Sequence, residues 1–231
     1  MTPPFEKRES VFAVGFRSVR ANAVPMAVLW LMAVALVVVY YRIPGAADLL
    51  EPLRRWQDAH EIWGSVLSRA VFCGLLPGVF ILTGRAPRPR RPVATILAQT
   101  VWCGAWGVWY VFFYRDLAQM FGDGSDLATL VKKTVVDMFV WSALAMIPLY
   151  AVFCHWLGHG LSWTRARDHW PRRFVRDLVL PNLIVNWCIW IPVMMAVYAF
   201  PRALQIQLVG LAGAFWSLVL LNIGSRDKGG E

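Results

Sequence analysis

Two charged side chains, Arg69 and Asp137, stand alone inside otherwise uncharged apolar runs of a 231-residue chain. An ionised group at the centre of a membrane helix costs about 2.5–3.5 kcal/mol on the insertion scale, so each must face protein or water rather than lipid. Such charges either pair and hold helices together or line a polar path. Asp137 stands one turn after Lys133, at i, i+4, where the ammonium would neutralise it. Arg69 and Asp137 lie at similar depth from one face of the runs, so a direct pair between them is also permitted. Gln99, Asn182 and Asn186 add polarity. Asn182 and Asn186, one turn apart, are expected to share a helix face, either as interhelical glue or as lining of a hydrated lumen.

His155 and His159 have the i, i+4 spacing of two metal ligands, but no carboxylate lies between them and no third or fourth ligand is evident. Interfacial histidines are the better reading, and neither a metal nor a cofactor is expected. No Ser/His/Asp arrangement, phosphate-binding loop or pair of catalytic carboxylates is present, so the chain does not read as an enzyme. Cys73, Cys103, Cys154 and Cys188 each fall in a different apolar run and read as buried small hydrophobes.

The elements that must position these residues are six apolar runs, Ala23–Tyr41, Ile62–Thr83, Val93–Tyr114, Thr134–Trp156, Leu178–Pro201 and Ala203–Ser225. Of 37 charged residues only Arg69 and Asp137 fall inside them, where random placement would put about 21. Together with 58% hydrophobic and 16% charged residues, this excludes a soluble globular domain, a disordered chain and a disulfide scaffold. Each run reaches the ~20 residues that a helix needs to cross a bilayer. Unbroken runs such as Leu29–Tyr41 lack the alternation of barrel strands. The expectation is an all-α, polytopic transmembrane bundle of about six helices.

The net charge of +9 reads as a topology signal rather than a nucleic-acid footprint. Fifteen Lys and Arg, among them Arg88, Arg90, Arg165, Arg172 and Arg176, fall on the side of both termini, against seven on the other side. Positive-inside bias places both termini on the cytoplasmic or inner side, and the basic face should attract anionic headgroups. The first apolar run reads as an anchor and not a cleaved signal. Phe12, Phe16 and Val19 are spaced as a short interfacial helix before it.

Between the first two runs, Leu49, Leu50, Leu53 and Trp56 face one way and Asp48, Glu51, Arg55 and Asp58 the other, which predicts a helix lying in the membrane plane. The Pro87, Pro89 and Pro92 connector must be extended, and the domain division is placed there: 1–91 with two membrane helices, 92–231 with four. Ala70, Gly74 and Gly78 beside Arg69 form a small-residue stripe that admits close helix approach. Asp126 is the expected N-cap of the fourth membrane helix. Trp30, Trp56, Trp63, Trp156, Trp163 and Trp170, near run ends, read as interface anchors.

From Val93 onward three stretches carry a likeness to known proteins. The first is Gly104-Ala-Trp-Gly-Val-Trp109-Tyr110, the second Lys132-Lys133-Thr-Val-Val-Asp137. The third runs from Arg176-Asp177 through Trp190-Ile-Pro192 and Pro201 to Trp216 and Leu220. Together they resemble the Mpv-17 and 22-kDa peroxisomal membrane protein family. Met138 stands where that family has Gln, and Val193–Tyr198 replaces a more polar stretch. The resemblance implies an integral protein of the mitochondrial inner or peroxisomal membrane, or the inner membrane of a prokaryote. It further implies channel-like passage of small solutes or a role in membrane homeostasis. On that reading Arg69, Gln99, Asp137, Asn182 and Asn186 bias a polar path, and Trp109 and Tyr110 shape its outer mouth. The chain would be self-associated, with membrane lipids as partners and no nucleic acid. The alternative is a non-conducting bundle that organises lipids or partner proteins. A lipid-modifying enzyme using His155 and His159 ranks last.

Overall fold

The structure, a computed structural model, describes residues 17, 19, 20, 23–84 and 88–226, without the side chains of residues 25 and 216–226. The expected interfacial helix around Phe12 and Phe16 and the side chain of Trp216 therefore lie outside the described residues. Every regular element among those described is a helix.

In chain order these are α1 (Ala23–Arg42), α2 (Ala46–Ala59), α3 (Glu61–Leu82), α4 (Pro92–Phe121), α5 (Leu127–Gly158), α6 (Trp163–Asp168), α7 (Val175–Tyr198) and α8 (Arg202–Arg226). Helices α3, α4, α5 and α7 are each long and apolar enough to cross a membrane. A fifth crossing is counted if α1 and α2 form one broken span; Met26–Arg42 turns by 102° into Ala46–Ala59. The turn is made at Gly45, whose φ of 80° suits a residue without Cβ. These helices make the chain compatible with a multi-pass membrane protein.

Helices α3, α5 and α7 each contain a π-helical stretch: Ala70–Leu75, Val136–Met146 and Val175–Val179. A proline follows two residues after each, at Pro77, Pro148 and Pro181. Proline has no N–H to donate and its ring crowds the carbonyl four residues back, so the preceding turn widens to i→i+5 bonding. The sequence thus explains why the backbone loosens next to Arg69 and around Asp137.

Helices α3 and α4 meet through small residues on both sides. A Cβ on Gly74 would lie 2.5 Å from Thr100 Cα, and one on Gly107 would lie 2.6 Å from the Ser65 carbonyl oxygen. The small-residue stripe beside Arg69 is therefore a helix seam, as expected, and it spans the division proposed between residues 91 and 92.

Helices α4 and α5 are instead separated by stacked rings. Trp102 lies on Phe153 at 4.3 Å and Trp109 on Trp141 at 5.3 Å, and Phe113 also stacks with Trp141 at 5.2 Å. Asp126 caps α5 by accepting from the Thr129 N–H at 3.0 Å. The Thr129 hydroxyl, and with it this N–H, bonds the ionised form and holds the carboxyl below the usual range.

Helix α2 does more than lie on the surface. Leu49 on its apolar face is 81% exposed, but Gln57 is buried in the bundle. Gln57 donates to the Ser65 hydroxyl at 3.1 Å and accepts from Gln207 of α8 at 2.6 Å. Trp30 also departs from expectation: it is half-buried and its Nε1 donates to the Ile189 carbonyl at 3.1 Å, joining α1 to α7 rather than anchoring an interface. Buried hydrogen-bond partners outweigh interface preference for this ring.

Candidate functional site

The polar interior is assembled from one residue of α3, two of α4, two of α5 and one of α7. Arg69, in the turn before the first π stretch, sets its guanidinium carbon 4.6 Å from the centre of the Tyr110 ring. Its Nε has no hydrogen-bond partner. A desolvated cation on an aromatic face gains about 2 kcal/mol, close to the insertion cost quoted above. The ring therefore does much of what a carboxylate would do.

Tyr110 and Tyr114 are one turn apart on α4, with ring centres 5.5 Å apart. Tyr114 meets Tyr198 of α7 edge-on at 5.7 Å. Tyr198 then donates its hydroxyl proton to Asp137 Oδ2 at 2.7 Å, while the Ser142 hydroxyl reaches Oδ1 at 3.5 Å. Asp137 is 3% exposed, and the π geometry of its helix sets Ser142 five residues away within reach. The two lone charges are thus the ends of a row, Arg69–Tyr110–Tyr114–Tyr198–Asp137.

Arg69 and Asp137 accordingly do not form a direct ion pair among the described residues; tyrosines satisfy each from a different helix. Nor does Lys133 neutralise Asp137. Its side chain, 2% exposed, reaches Asp123 Oδ1 at 3.6 Å, in the turn between α4 and α5. Lysine side chains rise toward the polar end of a helix, and Asp123 lies at that end whereas Asp137 lies deeper.

Asn182 and Asn186 have different environments despite their spacing. Asn182 is exposed and returns its Nδ2 to the Leu178 carbonyl at 2.7 Å, while Asn186 is buried with Nδ2 3.8 Å from Met138 Sδ. Both lie in the regular α-helical part of α7, which begins at Leu180, so they share a face, but Asn182 sits one turn nearer the start of the helix. Gln99 donates to Cys103 Sγ at 3.7 Å.

Trp109 and Tyr110 do not form one mouth. Trp109 is exposed and stacked on Trp141, while Tyr110 is buried beneath Arg69. Adjacent helical residues point about 100° apart, so the pair divides between surface and interior.

Of the other motif positions, Gly104 faces Val66 and Ala70 on α3, and Asp177 is exposed in the π turn of α7. Trp190 lies within reach of Gly213, Pro192 is interior to α7, and Pro201 sits between α7 and α8.

The three histidines at the other end of the bundle are tied to backbone. His155 Nε2 lies 2.9 Å from the Ala166 carbonyl, His159 Nδ1 2.7 Å from that of His155, and His169 Nδ1 2.9 Å from that of Arg165. Among the described residues no group of three or more His, Cys, Asp or Glu is arranged to hold a metal ion.

Tyr114 and Tyr198 were missed from sequence as site residues. The available signal was the i, i+4 pair Tyr110/Tyr114 on a helix whose other aromatics are tryptophan and phenylalanine.

A second polar layer closes the same end of the bundle. Glu61 pairs with Arg115 at 2.7 Å, and Gln57, Ser65 and Gln207 bond beneath them. Elsewhere, α1, α3, α7 and α8 enclose an apolar groove of about 220 Å³, walled by residues such as Leu36, Phe72, Val197 and Phe215. Comparison with known family models, curated proteins and solved structures gives no match.

Proposed function

We propose that the chain is an integral membrane protein of six crossings, with α1 and α8 as the two beyond those four helices, and that it organises membrane lipid without conducting solutes through its own interior. Both termini lie on the inner side, where Arg90, Arg165, Arg167, Arg172 and Arg173 meet anionic headgroups. The observation that carries the non-conducting reading is the row of tyrosines. The space in which a solute path beside Arg69 and Asp137 would run is occupied by the rings of Tyr110, Tyr114 and Tyr198. A path needs water beside its charges, and these charges are met by side chains. Membership of the Mpv-17 family is proposed on the three stretches that resemble it, and supports a part in membrane homeostasis. Channel-like passage of small solutes, the other function suggested by that likeness, would then run between copies of the chain.

Reconstitution into liposomes tests this. The expected result is that Arg69→Ala and Asp137→Ala lower the thermal midpoint of the protein while release of small trapped solutes equals that of protein-free vesicles. Protein-dependent release that is lost on Asp137→Ala would overturn it.

A further inference from the structure

At the histidine end of the bundle, α5 closes on a left-handed turn. Gly160 and Leu161 both have positive φ, 68° and 62°. The Leu161 N–H donates to the Trp156 carbonyl at 3.1 Å, the Gly160 N–H to the Leu157 carbonyl at 2.9 Å, and the His159 N–H to the His155 carbonyl at 3.2 Å. The first two are the paired bonds of a Schellman cap, which favours glycine at the position that Gly160 holds. The carbonyls of residues 155–157 thus have backbone donors and need none from a side chain.

Two arginines from different elements nevertheless converge on this turn. A Cβ on Gly160, itself buried, would lie 3.8 Å from Arg165 Nη2 and 4.0 Å from Arg90 Cδ. Arg165 comes from α6, whose first turn Ser162 caps by accepting from the Arg165 N–H at 3.4 Å. Arg90 comes from the connector before α4, where Pro89 and Pro92 restrict the backbone. Both arginines are exposed, and among the described residues neither guanidinium has a carboxylate within ion-pair distance. The dipole of α5 draws cations to this end, but it supplies only about half a negative charge against two positive ones. The excess positive charge is carried by forked N–H donors, whose geometry matches phosphate oxygens. Beside the turn, Trp163 is 59% exposed and stacks on Trp156 of α5 at 5.7 Å. Exposed indole rings settle at the depth of lipid headgroups.

We propose that Arg90 and Arg165 form, over Gly160, a binding site for the phosphate of an anionic lipid in the inner leaflet, at a depth set by Trp163. This site rests on the membrane reading above and gives its basic face one specific ligand. Arg167, Arg172 and Arg173 add the general attraction of a positive surface.

Native mass spectrometry of the full chain in detergent micelles, titrated with phosphatidylglycerol, tests it. The first phosphatidylglycerol should bind about tenfold more tightly than phosphatidylcholine, whose choline would bring a third cation to the pair. Arg90→Gln and Arg165→Gln change exposed side chains and should fold. Each should weaken that first site by about tenfold or more, the usual worth of a charge-assisted hydrogen bond. Arg91→Gln removes the same charge one residue away and should weaken it only a few-fold. Equal binding of the two lipids, or a loss in Arg91→Gln as large as in the other two variants, would overturn the proposal. Inorganic phosphate at the lipid's own concentration should leave the bound lipid in place; displacement by it would mean a site for a free anion and would overturn the lipid assignment. Solute release enters none of these outcomes, so this site and the non-conducting reading fail separately.

Discussion

Alanine at Gly107 and alanine at Gly104, one turn apart on α4, should change stability in opposite directions. At Gly107 the added Cβ would sit 2.6 Å from the Ser65 carbonyl oxygen and 2.8 Å from both Ser65 carbonyl carbon and Val66 Cα. All three atoms are backbone, so no side chain can turn aside. Helix α3 would have to move away by roughly 1 Å to restore ordinary contact, which opens the seam at Gly74 and Gly78 as well; overpacking of this kind costs about 1–3 kcal/mol. At Gly104 the added Cβ would meet the Ala70 Cβ and Val66 Cγ1 at 3.6 Å, ordinary contact. Both changes gain about 1 kcal/mol of helix propensity, or less in lipid. Gly107→Ala should therefore be destabilising by about 0.5–2 kcal/mol, and Gly104→Ala neutral or stabilising by up to about 1 kcal/mol. Reversible unfolding in mixed micelles, followed by circular dichroism, reads the difference. Equal effects, or a more stable Gly107→Ala, would refute the backbone-to-backbone seam.

Removing the hydroxyl of Tyr198 (Tyr198→Phe) deprives Asp137 of its short hydrogen bond and should lower stability by about 1.5–3 kcal/mol, checked by the same unfolding. Asp126→Ala should cost about 1 kcal/mol by uncapping α5. Glu51 accepts from Arg54 and Arg55, which hold its carboxyl down to about 2. Because the folded-state value is depressed, its contribution to α2 is complete above the ordinary carboxylate range and is lost as pH falls toward about 2. Fluorescence of Trp56 should follow that loss in the wild type and show none of it in Glu51→Gln.

The helices were legible because charge avoids them, and the α3 seam because Ala70, Gly74 and Gly78 recur at one-turn spacing. The partners of the two lone charges were not. Asp137 is held by a residue 61 positions away, near the end of a different helix, and periodicity says nothing about which turn of one helix faces which turn of another. Nearness in sequence pointed to Lys133, whose long side chain reaches the other way, to Asp123. Asn182 and Asn186 do share one face of a regular helix, but which turn of that face a neighbouring helix covers is not written in their spacing. Prolines in the sequence do mark all three π stretches, so that irregularity had a signature of its own.

The closed interior is tested most directly at Cys103. It lies two turns before Tyr110 on the face of α4 that meets Arg69, and is 6% exposed. In a protein with Cys73, Cys154 and Cys188 changed to alanine and reconstituted in lipid, a membrane-impermeant, charged methanethiosulfonate should leave Cys103 unmodified until the protein is denatured. A thiol reacts as its thiolate and needs water and access. Rapid modification of Cys103 in the folded protein would mean a water-filled lumen beside Arg69, and would contradict the account.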